Sequence, residues 1–168
     1  LGRGVGRGGC DFLENGPHHL ILYFRRRLGV GVEPALDAVA LSADLSTRII
    51  DASTAHRTNP AWAYGFAELS AKTRATIASA RYVSNPGCYA TGAIALVQPL
   101  VVAGLLAPDA PLTINAVSGY SGGGKAMIAE FEAETLDAFV YGLEQTHKHL
   151  PGIMVYSGLS RAPVFVPS

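Results

Sequence analysis

The chain has 168 residues, of which 49% are hydrophobic and 15% charged, with 13 basic and 13 acidic side chains. This composition supplies a packed core, and the zero net charge excludes a basic surface for nucleic acid or an anionic membrane. No apolar run reaches the roughly 18 residues of a membrane span, and no signal peptide is recognisable, so we expect a cytoplasmic protein. The cysteines, Cys10 and Cys88, lie in unrelated contexts and do not indicate a disulfide framework.

Residues 1–32 show no sustained period of two or 3.6, and we interpret them as an irregular or aberrant N-terminus. The glycines from Gly4 to Gly9 formally satisfy a dinucleotide-binding motif, which needs a strand before it and a helix after it. Only three residues precede Gly4, and no clear helix follows. The motif is therefore weak evidence for a nucleotide site.

The next segment alternates between helical and strand patterns. Apolar spacing predicts a helix over residues 33–45, a short buried strand over 48–51 that ends in Asp51, a helix over 67–80 and a strand over 81–83. Strands that alternate with helices indicate an α/β or α+β architecture.

Cys88 is the most informative residue of the chain. It follows a Pro-Gly turn and precedes an apolar helical run that we expect to end near Gly104. A thiol at a helix start meets unpaired N–H groups and the positive end of the helix dipole, which stabilise the thiolate. That is the setting of a cysteine nucleophile. The alternative is a buried, inert cysteine.

A glycine-rich loop follows a predicted strand over residues 111–118 and precedes a predicted helix that ends near 136. Gly119 to Lys125 nearly complete a P-loop, but Ala126 stands where magnesium coordination needs a hydroxyl. The loop could still wrap a phosphate or carboxylate with its N–H groups. A tight strand-to-helix turn is the equally open alternative.

His147 and His149 bracket Lys148 in a segment that we predict to be extended, with both rings on one face. No carboxylate or cysteine cluster accompanies them at a metal-like spacing, so we predict no metal site. An acid/base partner for Cys88 fits better, because imidazole titrates near neutrality. A pair of surface histidines is the alternative. The tail over residues 153–166 is predicted to be strand-like.

Arg57 follows His56 shortly after the predicted strand that ends in Asp51. Its guanidinium offers a fixed cation for an anionic substrate. The alternative is an exposed loop arginine.

Taken together, the ordered motifs resemble those of the shorter N-acetyl-gamma-glutamyl-phosphate reductases of arginine biosynthesis, over about residues 33–168. The motifs are Asp-Ala-Ser-Thr-Ala-His-Arg-Thr from Asp51, Ser-Asn-Pro-Gly-Cys-Tyr from Ser84, Asn-Ala-Val-Ser-Gly-Tyr-Ser-Gly-Gly-Gly-Lys from Asn115 and His-Lys-His-Leu-Pro from His147.

The resemblance implies an α/β protein with a partial Rossmann-like nucleotide domain and an α+β catalytic and dimerisation domain of the semialdehyde-dehydrogenase type. We assign residues 33–86 to a remnant of the NAD(P)-binding domain and residues 87–168 to the catalytic domain. A homo-oligomer is expected.

The implied reaction is the NADPH-dependent reduction of N-acetyl-gamma-glutamyl phosphate to N-acetylglutamate semialdehyde. A thioester forms on Cys88, and backbone N–H groups near it could stabilise the oxyanion. His147 or His149 handles the protons. The remaining assignments are Arg57, Asn85 and Ser118 for substrate binding and Gly119, Gly122 and Gly123 for binding NADP(H).

The chain also departs from the family. Residues 1–32 do not supply the family's first strands and glycine loop, Gly152 stands where the family motif has Glu, and the family continues past Ser168. Because the chain also begins with Leu1, we expect a fragment, a frameshifted product or a decayed enzyme. The alternative function is a non-catalytic piece that keeps only a dimerisation or interaction surface.

Overall fold

The computed structural model describes residues 3–5, 11–14, 20–23, 32–41, 48–134 and 138–168. The chain divides into two compact units, residues 1–91 and residues 92–168, called here the N-terminal and C-terminal units. Cys10 and residues 6–9 of the dinucleotide-like motif lie outside the described residues.

The N-terminal unit begins with an antiparallel sheet of order β1-β2-β3. Its strands are β1 (Arg3–Val5), β2 (Asp11–Glu14) and β3 (Leu20–Tyr23). The prediction of an irregular segment therefore missed three strands. Each is only three or four residues long, which is too short for a two-residue period to show in the sequence.

A parallel sheet of order β4-β6-β5 follows in the same unit. Its elements are α1 (Val32–Leu41), β4 (Ile49–Asp51), β5 (Ala63–Tyr64), α2 (Ala71–Ser79) and β6 (Tyr82–Ser84). The predicted strands at Asp51 and Val83 are confirmed. The predicted helix over 67–80 is split, because Ser70 is an extended N-cap whose hydroxyl accepts the Thr73 N–H at 3.0 Å.

Arg48 ties β4 to the end of α2. Its Nε donates to the Ala80 carbonyl at 3.0 Å and its Nη2 to the Ile77 carbonyl at 2.9 Å. These bonds satisfy carbonyls that a helix end leaves without partners. Ile49 and Trp62 are buried and form the core of this part of the unit.

Helix α3 (Cys88–Val102) begins in the N-terminal unit and continues into the C-terminal one. It starts at Cys88, and Gly104 just beyond its end has φ of +69°, so both predicted ends are confirmed. The C-terminal unit then contains β7 (Thr113–Ala116), α4 (Lys125–Glu134), α5 (Leu150–Ser157) and β8 (Val164–Pro167), with β7 and β8 parallel. Helices that accompany parallel strands confirm the α/β class.

The prediction for residues 153–166 is wrong in its first half. These residues continue α5 before the chain enters β8. Pro151 lies in the first helical turn, where its missing N–H costs nothing, and Gly158 ends the helix with φ of +72°.

The C-terminal unit leaves several large apolar side chains exposed. On and just after α3, Leu96 is 74% exposed, Val102 75% and Leu105 78%. Val117, directly after β7, is 85% exposed. We call these four residues the exposed apolar residues.

Candidate active site

The strands of the parallel sheet end in one row. Asp51 of β4 and Tyr64 of β5 are each in register with Ser84 of β6, and all three are buried. Parallel strands place their carboxyl ends at the same edge, where α/β proteins gather functional loops. The loops that follow these three residues carry Arg57 and Cys88.

Asp51 is the centre of the hydrogen bonds at this edge. Its Oδ1 accepts the Ser53 N–H at 2.7 Å, and its Oδ2 accepts the Ser53 hydroxyl at 2.9 Å. The same Oδ2 lies 2.7 Å from Nδ1 of His56. Because a carboxylate accepts and does not donate, we assign the proton to Nδ1 of His56. Donors on both oxygens offset the cost of burying this carboxylate.

His56 is fixed on its ring face as well as at its edge. The imidazole stacks on Trp62 with ring centroids 4.0 Å apart and planes inclined by 15°. Trp62 in turn packs against Tyr82 with centroids 5.0 Å apart. No role for Trp62 was predicted from the sequence, because no spacing rule joins positions 56 and 62.

Arg57 bridges two loops. Its Nε donates to the Asn85 carbonyl at 3.1 Å, and its Nη2 donates to the Ala52 carbonyl at 3.4 Å. It is half-buried rather than an exposed loop arginine. Burial lowers the pKa of Arg57, while negative charge on Tyr64, Asp51 and Cys88 opposes that shift. An arginine remains charged despite such a shift.

Cys88 is exposed at the first residue of α3. The alternative of a buried cysteine is therefore wrong. Gly87 precedes it, and the Gly87 carbonyl accepts both the N–H and the hydroxyl of Thr91, at 2.8 and 2.9 Å. Asn85 N–H donates to the Asp51 carbonyl at 2.7 Å, which joins the cysteine loop to β4.

The histidine pair lies in the C-terminal unit. The segment is a turn and not the extended strand predicted: His149 is the N-cap of α5 with φ of −90° and ψ of −21°. The two rings still meet edge to face with centroids 4.8 Å apart. The His149 N–H donates to Nδ1 of His147 at 3.3 Å, so a neutral His147 carries its proton on Nε2.

His149 is buried, whereas His147 is half-buried and lies 4.9 Å from the Phe165 ring, measured between centroids. Burial lowers the pKa of His147 below 6.5, Lys148 lowers it further, and Glu144 opposes them. His147 is therefore mostly neutral at pH 7, as a proton acceptor must be.

The glycine loop is a 3₁₀ turn over Tyr120–Gly123, followed directly by α4. A Cβ on Gly123 would clash with the side chain of Met127, so packing alone explains that glycine. Gly119 and Gly122 are exposed, and a Cβ on either would meet nothing closer than 3.4 Å. A cavity of about 240 Å³ lies beside Ser118 and Gly119.

Comparisons with known proteins agree with the motifs. Residues 88–168 match the family described as semialdehyde dehydrogenase, dimerisation domain. The chain is 57% identical over 134 residues to N-acetyl-gamma-glutamyl-phosphate reductase of Rhizobium etli and 54% identical over 134 residues to that of Rhizobium johnstonii. The predicted resemblance to these reductases is confirmed. A Brucella anthropi reductase is 57% identical over 129 residues.

The matches to the Rhizobium etli reductase cover 76% of this chain and 43% of the relative, so the chain spans less than half of that relative's length. The family match begins at Cys88, one residue after the predicted start of the catalytic domain.

Among the described residues, no group of three or more His, Cys, Asp or Glu side chains could hold a metal ion. Within the same residues, no helix has the length and apolar character needed to cross a membrane.

Proposed function

We propose that this chain takes part in reducing N-acetyl-gamma-glutamyl phosphate to N-acetylglutamate semialdehyde, with Cys88 as the nucleophile. The observation that carries the proposal is the exposed thiol at the first residue of α3, where the Arg57 guanidinium binds the carbonyl of Asn85, three residues before that thiol. A helix N-terminus and a nearby cation both favour the thiolate, which is the reactive form. The names of the relatives support the substrate.

In the first step, Sγ of Cys88 attacks the acyl carbon of the substrate. A C–S bond forms, the bond from the acyl carbon to the phosphate oxygen breaks, and phosphate leaves with that electron pair. The product is a thioester on Cys88. Backbone N–H groups at the start of α3 are the donors that can stabilise the oxyanion of this step.

Substrate binding is proposed for Arg57, Asn85 and Ser118. Arg57 and Asn85 lie on the two loops that the Arg57 guanidinium joins, and the Asn85 side chain is exposed. Ser118 is also exposed and borders the cavity beside the glycine loop. A cationic group suits the phosphoryl end of the substrate.

NADP(H) is the proposed cofactor, and it supplies the hydride that reduces the thioester. The glycine loop fits such a ligand in part. Gly119 and Gly122 present exposed backbone that a phosphate or an amide could approach closely, whereas Gly123 serves the packing of Met127. We propose residues 33–86 as a remnant of the nucleotide domain, on the strength of the parallel sheet β4-β6-β5.

The proton transfers are assigned to the histidine pair. Before the attack the Cys88 thiol must lose its proton, and that proton can then pass to the departing phosphate oxygen. The oxyanion left by hydride addition, by contrast, collapses directly as the C–S bond breaks and the thiolate returns. A neutral imidazole can accept the thiol proton, and burial keeps His147 neutral at pH 7. His149 holds His147 in one tautomer through its backbone N–H, so each histidine can be tested separately.

The test is phosphate-dependent reduction of NADP⁺ by the purified 168-residue chain with N-acetylglutamate semialdehyde. We expect turnover that requires all three reactants and disappears in Cys88→Ser. Each histidine is replaced by Gln in turn, and the variant with the larger loss identifies the proton acceptor. Turnover that persists in Cys88→Ser would contradict the proposal.

A second function is supported by one observation. The region that matches the dimerisation domain carries the exposed apolar residues Leu96, Val102, Leu105 and Val117. A homo-oligomer without catalysis, which keeps only this interaction region, would explain such exposure. Sedimentation velocity and turnover, both measured on wild type and Leu96→Glu, distinguish the two functions. This alternative predicts a wild-type oligomer that Leu96→Glu dissociates. It also predicts no turnover in either protein.

A further inference from the structure

Asp51 and His56 have no task in the reaction steps above. Both are nevertheless buried, with Asp51 0% and His56 4% exposed, and their side chains meet at 2.7 Å. Trp62 also stacks on the face of the His56 imidazole, with ring centroids 4.0 Å apart. A buried polar pair costs stability unless it is well satisfied, so its presence beside the cysteine loop requires a reason.

The loop from β4 to Arg57 is closed by the same residues. Ser53 binds the Asp51 carboxylate through both its N–H and its hydroxyl, and the Ala55 N–H donates to the Ser53 hydroxyl at 3.0 Å. At the far end, the Asn59 N–H donates to the His56 carbonyl at 3.2 Å. Arg57 thus follows directly on a histidine that is fixed at its side chain and its backbone.

Asn85, three positions before Cys88 in the sequence, is held from two sides. Its N–H donates to the carbonyl of Asp51 at 2.7 Å, and its own carbonyl accepts Nε of Arg57 at 3.1 Å. Both partners belong to the loop organised by the Asp51 carboxylate. Displacement of Arg57 would therefore release one of the two bonds that anchor the cysteine loop.

We propose that Asp51 and His56 are positioning residues, which hold the Arg57 guanidinium against the loop of Cys88 as the fixed counter-ion of the thiolate. The proposal deepens the proposed function and rests on it for the role of Cys88 as nucleophile. Neither Asp51 nor His56 touches the substrate in this account. They act through Arg57 alone.

The experiment compares two alkylating agents on the full chain at pH 7: iodoacetate, which is anionic, and iodoacetamide, which is neutral. The rate of each is followed by mass spectrometry of the peptide that carries Cys88, and the ratio of the two rates is the readout. A cation beside the thiol favours the anionic reagent. A loop that merely loosens changes both rates together and leaves the ratio nearly constant.

We expect Arg57→Gln to lower the ratio by about three- to tenfold, the Coulomb effect of one charge near an exposed group. His56→Ala should lower the ratio by a similar factor. The double variant, His56→Ala with Arg57→Gln, should have a ratio no lower than that of Arg57→Gln alone. His56→Asn keeps a donor for Asp51 and should retain most of the wild-type ratio. Arg74→Gln is the matched control, because Arg74 is 69% exposed and belongs to the same unit.

A second variant covers the case in which His56→Ala fails to fold, as judged by far-UV circular dichroism. Loss of a negative charge at Asp51→Asn would by itself raise the ratio, so a fall can come only from displacement of Arg57. A wild-type ratio in His56→Ala, or a raised ratio in Asp51→Asn, would overturn the positioning role. If His56→Asn lowered the ratio as much as His56→Ala does, the role of the hydrogen bond to Asp51 would be overturned.

The alkylation ratio does not depend on turnover, so the two proposals fail separately. An altered ratio without phosphate-dependent NADP⁺ reduction would overturn the proposed function and leave the counter-ion geometry standing. Turnover together with an unchanged ratio in Arg57→Gln would overturn the counter-ion role and leave the proposed function standing.

Discussion

The loop around Asp51 and the turn around His147 fix their polar side chains by different means. At Asp51 a buried carboxylate collects directed hydrogen bonds from Ser53 and His56. At His147 the ring is surrounded by other rings, with Tyr141, His149 and Phe165 at centroid distances of 6.1, 4.8 and 4.9 Å. Directed bonds specify the position of an atom, whereas ring packing chiefly sets the polarity around it. The first region is suited to place a charge and the second to tune a proton acceptor.

The largest effect should come from the Cys88 thiol. If Cys88 is the nucleophile, Cys88→Ser lowers phosphate-dependent NADP⁺ reduction by about 10³-fold or more, because a hydroxyl without a base is a poor nucleophile. The measurement is the initial rate at saturating substrate. Cys10→Ser is the matched control and should keep the wild-type rate.

The next effect tests whether directed bonds carry the stability of the first region. Asp51→Ala leaves the buried His56 donor without its acceptor, and we expect a loss of about 3 kcal/mol in the free energy of unfolding. Urea unfolding followed by the fluorescence of Trp62, the chain's only tryptophan, measures it within this unit.

Glu68→Ala provides the control for that measurement. Glu68 is 69% exposed and only 4.0 Å from Arg74, so its removal should change stability by less than about 0.5 kcal/mol. Equal losses in Asp51→Ala and Glu68→Ala would show that the buried carboxylate is not the organising group.

A pair of glycines compares the two units at the level of the backbone. A Cβ on Gly65 would lie 2.9 Å from the Ser84 carbonyl, which also accepts the Gly65 N–H at 2.8 Å. Gly65→Ala should therefore cost about 1–3 kcal/mol, since backbone is forced to move. Gly92→Ala in α3 meets nothing within 4 Å and should stabilise by about 0.5–1 kcal/mol.

Thermal unfolding of both glycine variants measures these changes in stability. A neutral Gly65→Ala would mean that the end of β6 can shift, and with it the cysteine loop that follows.

The smallest effect concerns polarity around His147. Lys148→Gln removes a cation that lowers the pKa of His147, so this pKa should rise. It should stay below the ordinary value of 6.5, because burial of the ring still lowers it. NMR titration of the ring protons measures the shift. Lys125→Gln, an exposed lysine at the start of α4, should leave the titration unchanged.

The same lowered pKa has a consequence for stability. Because folded His147 binds a proton less readily than the unfolded chain, its contribution is complete above pH 6.5 and is lost as the pH falls below that value. The melting temperature of His147→Gln should therefore decline less than that of wild type on acidification. A parallel decline in both proteins would exclude His147 as the source.

Local sequence signals predicted the cysteine region well. A Pro-Gly turn ahead of an apolar period placed Cys88 at the start of α3, and Gly104 marked its end, because caps act within a few residues. The same kind of signal was overlooked at α5. Pro151 and Gly158 mark the two ends of this helix, but its apolar run was interpreted as a strand.

The cluster around Asp51 could be predicted only in part. Asp51 was expected at the end of a strand and Arg57 near a substrate, but the bond from Asp51 to His56 spans five positions and matches no helical or strand period. It depends on a turn that Ser53 closes through side-chain bonds. Contacts such as the Trp62 stack arise from tertiary packing, which one sequence without homologues does not reveal.

The exposed apolar residues have a practical consequence for handling the protein. Leu96, Val102, Leu105 and Val117 are each at least 74% exposed, while the sequence isoelectric point is 7.1. Near neutral pH the molecules carry almost no net charge to keep them apart, so apolar contacts between them meet little repulsion. Colloidal stability should therefore be poorest close to pH 7, and light scattering should fall as the buffer is moved to pH about 8.5 at low salt.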